Sequence, residues 1–219
     1  MREIVTENFS FPFGLYCVNI ERMEENLNWI RGALNITVDV TDSNPDLIIK
    51  ILNDFYEYDS YGEIKQKVQS ILTITYINFY ILLISFLEEY FNHINILIKK
   101  NYKTEKNYAE IKKEITFDKS DKIRKIIYSL KLETFKKENI YNEIKFYKEI
   151  RNALVHRKGI IDINVINELN YLYKIKSFLN ENDIIMLNQY YFEQLLDEIY
   201  LLVLQVDKIL VNDYPFLKV

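Results

Sequence analysis

Between Val68 and Leu87 the chain runs for twenty residues, VQSILTITYINFYILLISFL, without a charge. A stretch this long has to leave water, either as the central helix of a bundle or as a helix that crosses a bilayer. Gln69, Ser70, Thr73, Thr75, Asn78 and Ser85 interrupt it, and Glu88 and Glu89 follow at once with no basic flank beyond Lys65 and Lys67. Those interruptions favour the buried helix over the span, so no membrane partner is expected.

The rest of the chain points the same way. Hydrophobic residues make up 49% of 219, yet there are only 4 glycines and 3 prolines, too few for a sheet built on many tight turns. The expected fold is all-α, an up-and-down helical bundle. Apolar spacing predicts helices over residues 18–34, 44–55, 62–99, 120–130, 139–157, 164–179 and 184–211. The last is the clearest, with Ile184, Leu187, Tyr191, Leu195, Ile199, Leu202, Val206 and Ile209 on one stripe and Glu193, Asp197 and Glu198 near the other side. NITVDVT, residues 35–41, alternates and is β-branched but has no partner strand, so it reads as an extended loop. Residues 1–61 are expected to be a mostly helical N-terminal extension and residues 62–219 the bundle.

Cys17 is the sole cysteine, so neither an internal disulfide nor a cysteine metal cluster is expected. The first residues, MREIVTENFSFPFG, hold no apolar run of signal-peptide length. The reading is a cytoplasmic protein with no cofactor and no metal.

Charge is unevenly spread. Residues 1–98 carry 6 basic and 14 acidic residues, a net of -8, whereas residues 99–125 carry 10 and 5, a net of +5. Tyr102 and Tyr108 interleave with those lysines, a mixture suited to phosphates and stacked bases and equally to a solvated, lysine-rich surface.

One of the two histidines lies in EIRNALVHRKG, Glu149 to Gly159. On a helical wheel Ile140, Ile144, Phe146, Tyr147, Ile150, Ala153, Leu154 and Val155 share a broad face, and Arg151 falls inside it. Asn152 and His156, four apart, lie on the polar side with Lys145 and Glu149. A guanidinium in an apolar seam requires a partner; Glu88 and Glu89 are candidates for an ion pair with Arg151, and a second copy of the chain is another. Histidine can pass a proton near neutral pH, and arginine can grip a phosphoryl group and offset the charge that develops on it. Together they suit metal-free RNA cleavage by the substrate's own 2′-hydroxyl. On a straight helix the two side chains diverge by about 140°, with Asn152 between them. No Ser-His-Asp set, glycine-rich phosphate loop or paired-histidine metal spacing competes. His93, in FNHINIL, reads as a helix-face histidine.

R-N-A-L-V-H, Arg151 to His156, resembles the R-x4-6-H motif of the HEPN superfamily, in which a polar residue, here Asn152, follows the arginine and the motif ends a long helix. ISFLEEYFNHI, residues 84–94, is similar to the long early helix of prokaryotic members. The resemblance covers residues 62–211. It implies a HEPN-type bundle and a metal-independent endoribonuclease, usually a homodimer with both motifs at one cleft. It also implies a role in phage defence or growth arrest, often under an antitoxin protein. On that reading Arg151, His156 and Asn152 are catalytic. Arg157, Lys158 and Tyr147 would bind RNA, although Arg157 and Lys158 equally suit the helix C-terminus on charge grounds alone. The alternative is a non-catalytic HEPN-like module that binds a nucleotide, RNA or a protein partner in the same cleft.

Overall fold

The computed structural model describes residues 9–43, 61–102 and 122–218. They form seven α-helices: α1 (Phe11–Ser43), α2 (Tyr61–Tyr102), α3 (Lys122–Ser129), α4 (Thr134–His156), α5 (Ile163–Glu168), α6 (Leu172–Lys176) and α7 (Gln189–Asp213), with a final 3-10 turn, Pro215–Leu217. Among the described residues there is no strand, only the isolated bridges Ser10 to Lys218, Ile160 to Ile184 and Leu179 to Ile185. The chain is all-α.

Paired side chains give the sense of each long helix. Ser10 meets Asp207 and Arg31 meets Glu193, so α1 runs opposite to α7. Tyr76 packs on Phe192 and Tyr90 bonds Asp207, so α2 runs with α7. Lys131, just ahead of α4, bonds Asp213, and Tyr147 meets Glu198, so α4 again runs opposite. The result is an up-and-down arrangement with one core. Phe13, Tyr16, Ile20, Met23 and Leu27 of α1 are buried in that core together with residues of α2, α4 and α7.

The uncharged run lies within α2, whose stretch Lys65–Asn101 is long and apolar enough by length and composition to cross a membrane. Its inner face, Tyr76, Tyr80, Leu83, Ile84, Leu87, Tyr90, Phe91 and Ile94, is buried. Ile71, Ile74, Leu82 and Ile96 are exposed. The hydroxyls of Ser70, Thr73, Thr75 and Ser85 each donate to the carbonyl four residues earlier, at 2.8 to 3.0 Å. Four of the six polar residues that interrupt the run are thus satisfied by the helix's own backbone.

Three expected boundaries are corrected. Residues 35–41 lie within α1, which runs on to Ser43, instead of forming an extended loop. Once a helix is anchored by Ile20, Met23 and Leu27, each added residue gains a hydrogen bond, which outweighs the modest helix penalty of β-branched residues. The helix expected over residues 164–179 is broken into α5 and α6, because Asn170 sits in the left-handed region at φ 62. The last helix starts at Gln189, where Asn188 caps it by accepting from the Tyr191 N–H at 3.0 Å, so Ile184 lies ahead of it. The helix expected over residues 44–55 lies outside the described residues, as do residues 103–121 of the basic segment.

Candidate functional site

Helix α4 carries the motif and stops abruptly behind it. Lys158 and Gly159 both take positive φ, 53 and 84, and the Gly159 N–H reaches back to the Ala153 carbonyl at 2.8 Å. The chain then crosses under the Ile185 N–H, which donates to the Gly159 carbonyl at 3.0 Å. A side chain at Gly159 would combine the unfavourable φ with a Cβ only 3.0 Å from Ile184 Cγ2. This turn leaves His156 exposed in the last helical turn, and no side chain among the described residues holds its imidazole.

The apolar seam of α4 is as expected over Ile140, Ile144, Phe146, Tyr147, Ile150 and Ala153, all buried. Leu154 is half-buried, and Val155 at its end is exposed. Arg151, the anomaly within that seam, is half-buried, and its Nη1 donates to Asn152 Oδ1 at 3.1 Å. The side chain is therefore held toward the face that carries Asn152 and His156, which lie about 40° apart on the helix. Glu88 does not partner Arg151; it pairs with Lys148 at 2.9 Å, while Glu89 stands 4.0 Å from His93, four residues along its own helix. A neighbour one residue away competes well with carboxylates on another helix, since less chain has to be ordered to reach it.

The residues assigned to RNA binding fare differently. Lys158 is exposed. Arg157 is engaged by Glu149, binding its carboxylate and, at 3.5 Å, its carbonyl. Tyr147 is wholly buried, so it cannot stack on a base, and that expectation is corrected. It is held there by polar bonds that its apolar neighbours conceal in the sequence. Its hydroxyl lies 2.9 Å from Glu143 Oε1 and 3.1 Å from Glu198 Oε2 and accepts from Lys174 Nζ at 3.1 Å. Lys174 in turn pairs with Glu198 at 2.6 Å, over the Phe146, Tyr147 and Tyr171 rings. Burial first, and the two carboxylates next, push the Tyr147 hydroxyl far above the ordinary tyrosine range and the Tyr171 hydroxyl to about 12. Both stay protonated donors at any physiological pH.

Beside Asn152 an open groove of about 180 Å³ follows α4. Lys145, Lys148, Glu149 and Asn152 form its polar side. Ile144, Ile123 of α3 and Val165, the third residue of α5, whose N–H donates to the Asp162 cap, form its apolar side. Sequence reasoning placed Lys145, Glu149, Asn152 and His156 on one side but missed Lys148. It missed Lys174 and Glu198 as well, because nothing in the spacing of α6 signals a contact with α4. Among the described residues no group of three or more histidine, cysteine or acidic side chains could hold a metal ion. No family model, no curated protein and no solved structure matches the chain.

Proposed function

We propose that the chain is a metal-independent endoribonuclease of HEPN type, acting as a toxin or a phage-defence effector, with a HEPN-like arrangement of the bundle. The observation that carries this reading is the 3.1 Å bond from Arg151 to Asn152, which draws the guanidinium from the apolar seam toward the face of the exposed His156. An arginine engaged by a neutral amide keeps its charge for an incoming phosphate, which one neutralised by a buried carboxylate does not. In this scheme His156 moves the proton of the attacking 2′-hydroxyl or of the leaving oxygen. Arg151 offsets the charge on the phosphorus oxygens as it grows, and Asn152 sets the arginine's position. The same chemistry explains why a homodimer suits this chain. A partner copy packed at the end of α4 would cover Val155 and Ile160, exposed on either side of His156. The test is purified full chain on single-stranded RNA, beside His156→Ala. Fragments ending in cyclic phosphate, made by the wild type in chelator and not by the variant, support the enzyme. RNA bound but never cut supports the non-catalytic alternative instead.

A further inference from the structure

Lys145, Lys148, Asn152 and His156 are separated by three, four and four residues on α4. At 1.5 Å per residue they form a single stripe roughly 16 Å long that ends at the exposed histidine. The groove beside α4 lies along the first three of them. At its far end two cations meet one ring, with Lys145 Nζ 5.7 Å and the Arg124 guanidinium 5.3 Å from the Tyr141 centroid. Among the described residues Lys145 has no carboxylate partner. Lys148 shares Glu88 at 2.9 Å, but both side chains are more than a third exposed, and so solvated a pair exchanges readily for another anion. The one acid lining the groove, Glu149, is engaged by Arg157. The charge left over along the groove is positive. The chain also enters α3 beside it at Lys122, directly from the most basic stretch of the sequence.

We propose that this groove seats the RNA strand flanking the bond to be cut, with Lys145 and Lys148 taking backbone phosphates while His156 and Arg151 act at the other end of the stripe. The role at the cut bond rests on the ribonuclease reading; the seat for a single strand does not. Lys145 and Lys148 stand three residues apart on one helix, about 4.5 Å of rise, which suits neighbouring phosphates of one backbone, and the ligand of this proposal is a single strand. Two lysines that neutralise two phosphates add affinity in proportion to the counterions released, and that contribution fades with salt.

The test uses the full chain and two RNAs, a dinucleotide and a labelled single strand of about twelve nucleotides. Binding is read by anisotropy across a salt series with His156→Ala present in every protein. Lys145→Ala with Lys148→Ala is expected to weaken the longer RNA about tenfold at low salt and to lower the slope of log affinity against log salt by about 1.4. Lys136→Ala with Lys208→Ala, on exposed surface elsewhere, is expected to change neither. With His156 present, the groove variant should lose more in cleavage of the longer RNA than in cleavage of the dinucleotide. Unchanged affinity and slope overturn the proposal, as does an equal loss in the control pair or a matching fall in dinucleotide cleavage. If the wild type cuts neither RNA while the groove variant still loses affinity, the seat stands and the ribonuclease reading falls.

Discussion

Arg151 Nη1 lies 3.1 Å from Asn152 Oδ1, so the most anomalous residue in the apolar seam of α4 is held by its sequence neighbour and not by an acid on α2. The amide oxygen takes a bond from only one nitrogen of the guanidinium and leaves the rest of the fork open. Glu88 and Glu89 of α2 are turned to Lys148 and His93. The positive charge of Arg151 is thereby kept at the end of the bundle, close to the exposed histidine in sequence and on the same helix.

Asn152→Ala should release that guanidinium without loosening the fold. RNA cleavage is expected to fall about 10- to 100-fold, the usual cost of a misplaced catalytic group. Thermal stability should stay within about 0.5 kcal/mol, because both residues are only half-buried. Rates and melting curves measured on the same preparation check this; full activity would show that Arg151 needs no such support.

His156→Ala should cost about 10²- to 10⁴-fold in cleavage, the range of a positioned acid or base. The side chain is exposed, so the variant should melt like the wild type. End-mapping of a defined RNA gives the readout, and an undiminished yield of cyclic phosphate ends would remove His156 from the mechanism.

Tyr147→Phe tests the corrected assignment. The hydroxyl bridges Glu143 or Glu198 and Lys174 inside the bundle, and losing hydrogen bonds to charged groups there costs about 1–3 kcal/mol. At about 2–4 °C per kcal/mol for a chain of this size, Tm should drop by several degrees. Cleavage per folded molecule should be unchanged. A variant that melts normally but loses cleavage would return Tyr147 to the RNA site.

Asp207 supplies a pH prediction. It is fully buried, accepting from the Ser10 N–H at 2.9 Å, the Ser10 hydroxyl and the Tyr90 hydroxyl at 2.9 Å. Burial raises its pKa above 3.8, and the bonds from Ser10 and Tyr90 oppose the rise. An acid whose native pKa is raised favours the fold most when protonated. Its contribution is therefore full below 3.8 and is lost as pH climbs through the raised native value. Urea unfolding of the wild type and Asp207→Asn from about pH 3.5 to 7 should show the wild type gaining on the variant as pH falls. A gap that widens toward neutral pH would mean that the hydrogen bonds outweigh burial.

The long helices were legible because they bury periodic stripes. Leu195, Ile199, Leu202 and Val206 repeat on α7, and all are buried. The side of α4 that carries Asn152 and His156 was legible for the same reason, since one helix sets it. Pairings between helices were not, as Lys148 shows by reaching Glu88 across the bundle. Residues 35–41 failed in another way: their local β preference is weaker than the pull of a helix already anchored upstream. The break at Asn170 depends on one left-handed residue that the apolar pattern of 164–179 hides.

The antiparallel bridge between Ser10 and Lys218 sets the two described ends of the chain side by side. The backbone is thus nearly a closed ring, with Asp207 clasping Ser10 at the join. A short glycine-serine link from Lys218 to Ser10, with new termini opened beside the exposed Glu133, would leave every described helix uncut. The order in which these helices follow one another is then a matter of where the ring is opened, while the place of α4 among its neighbours is fixed by what they bury.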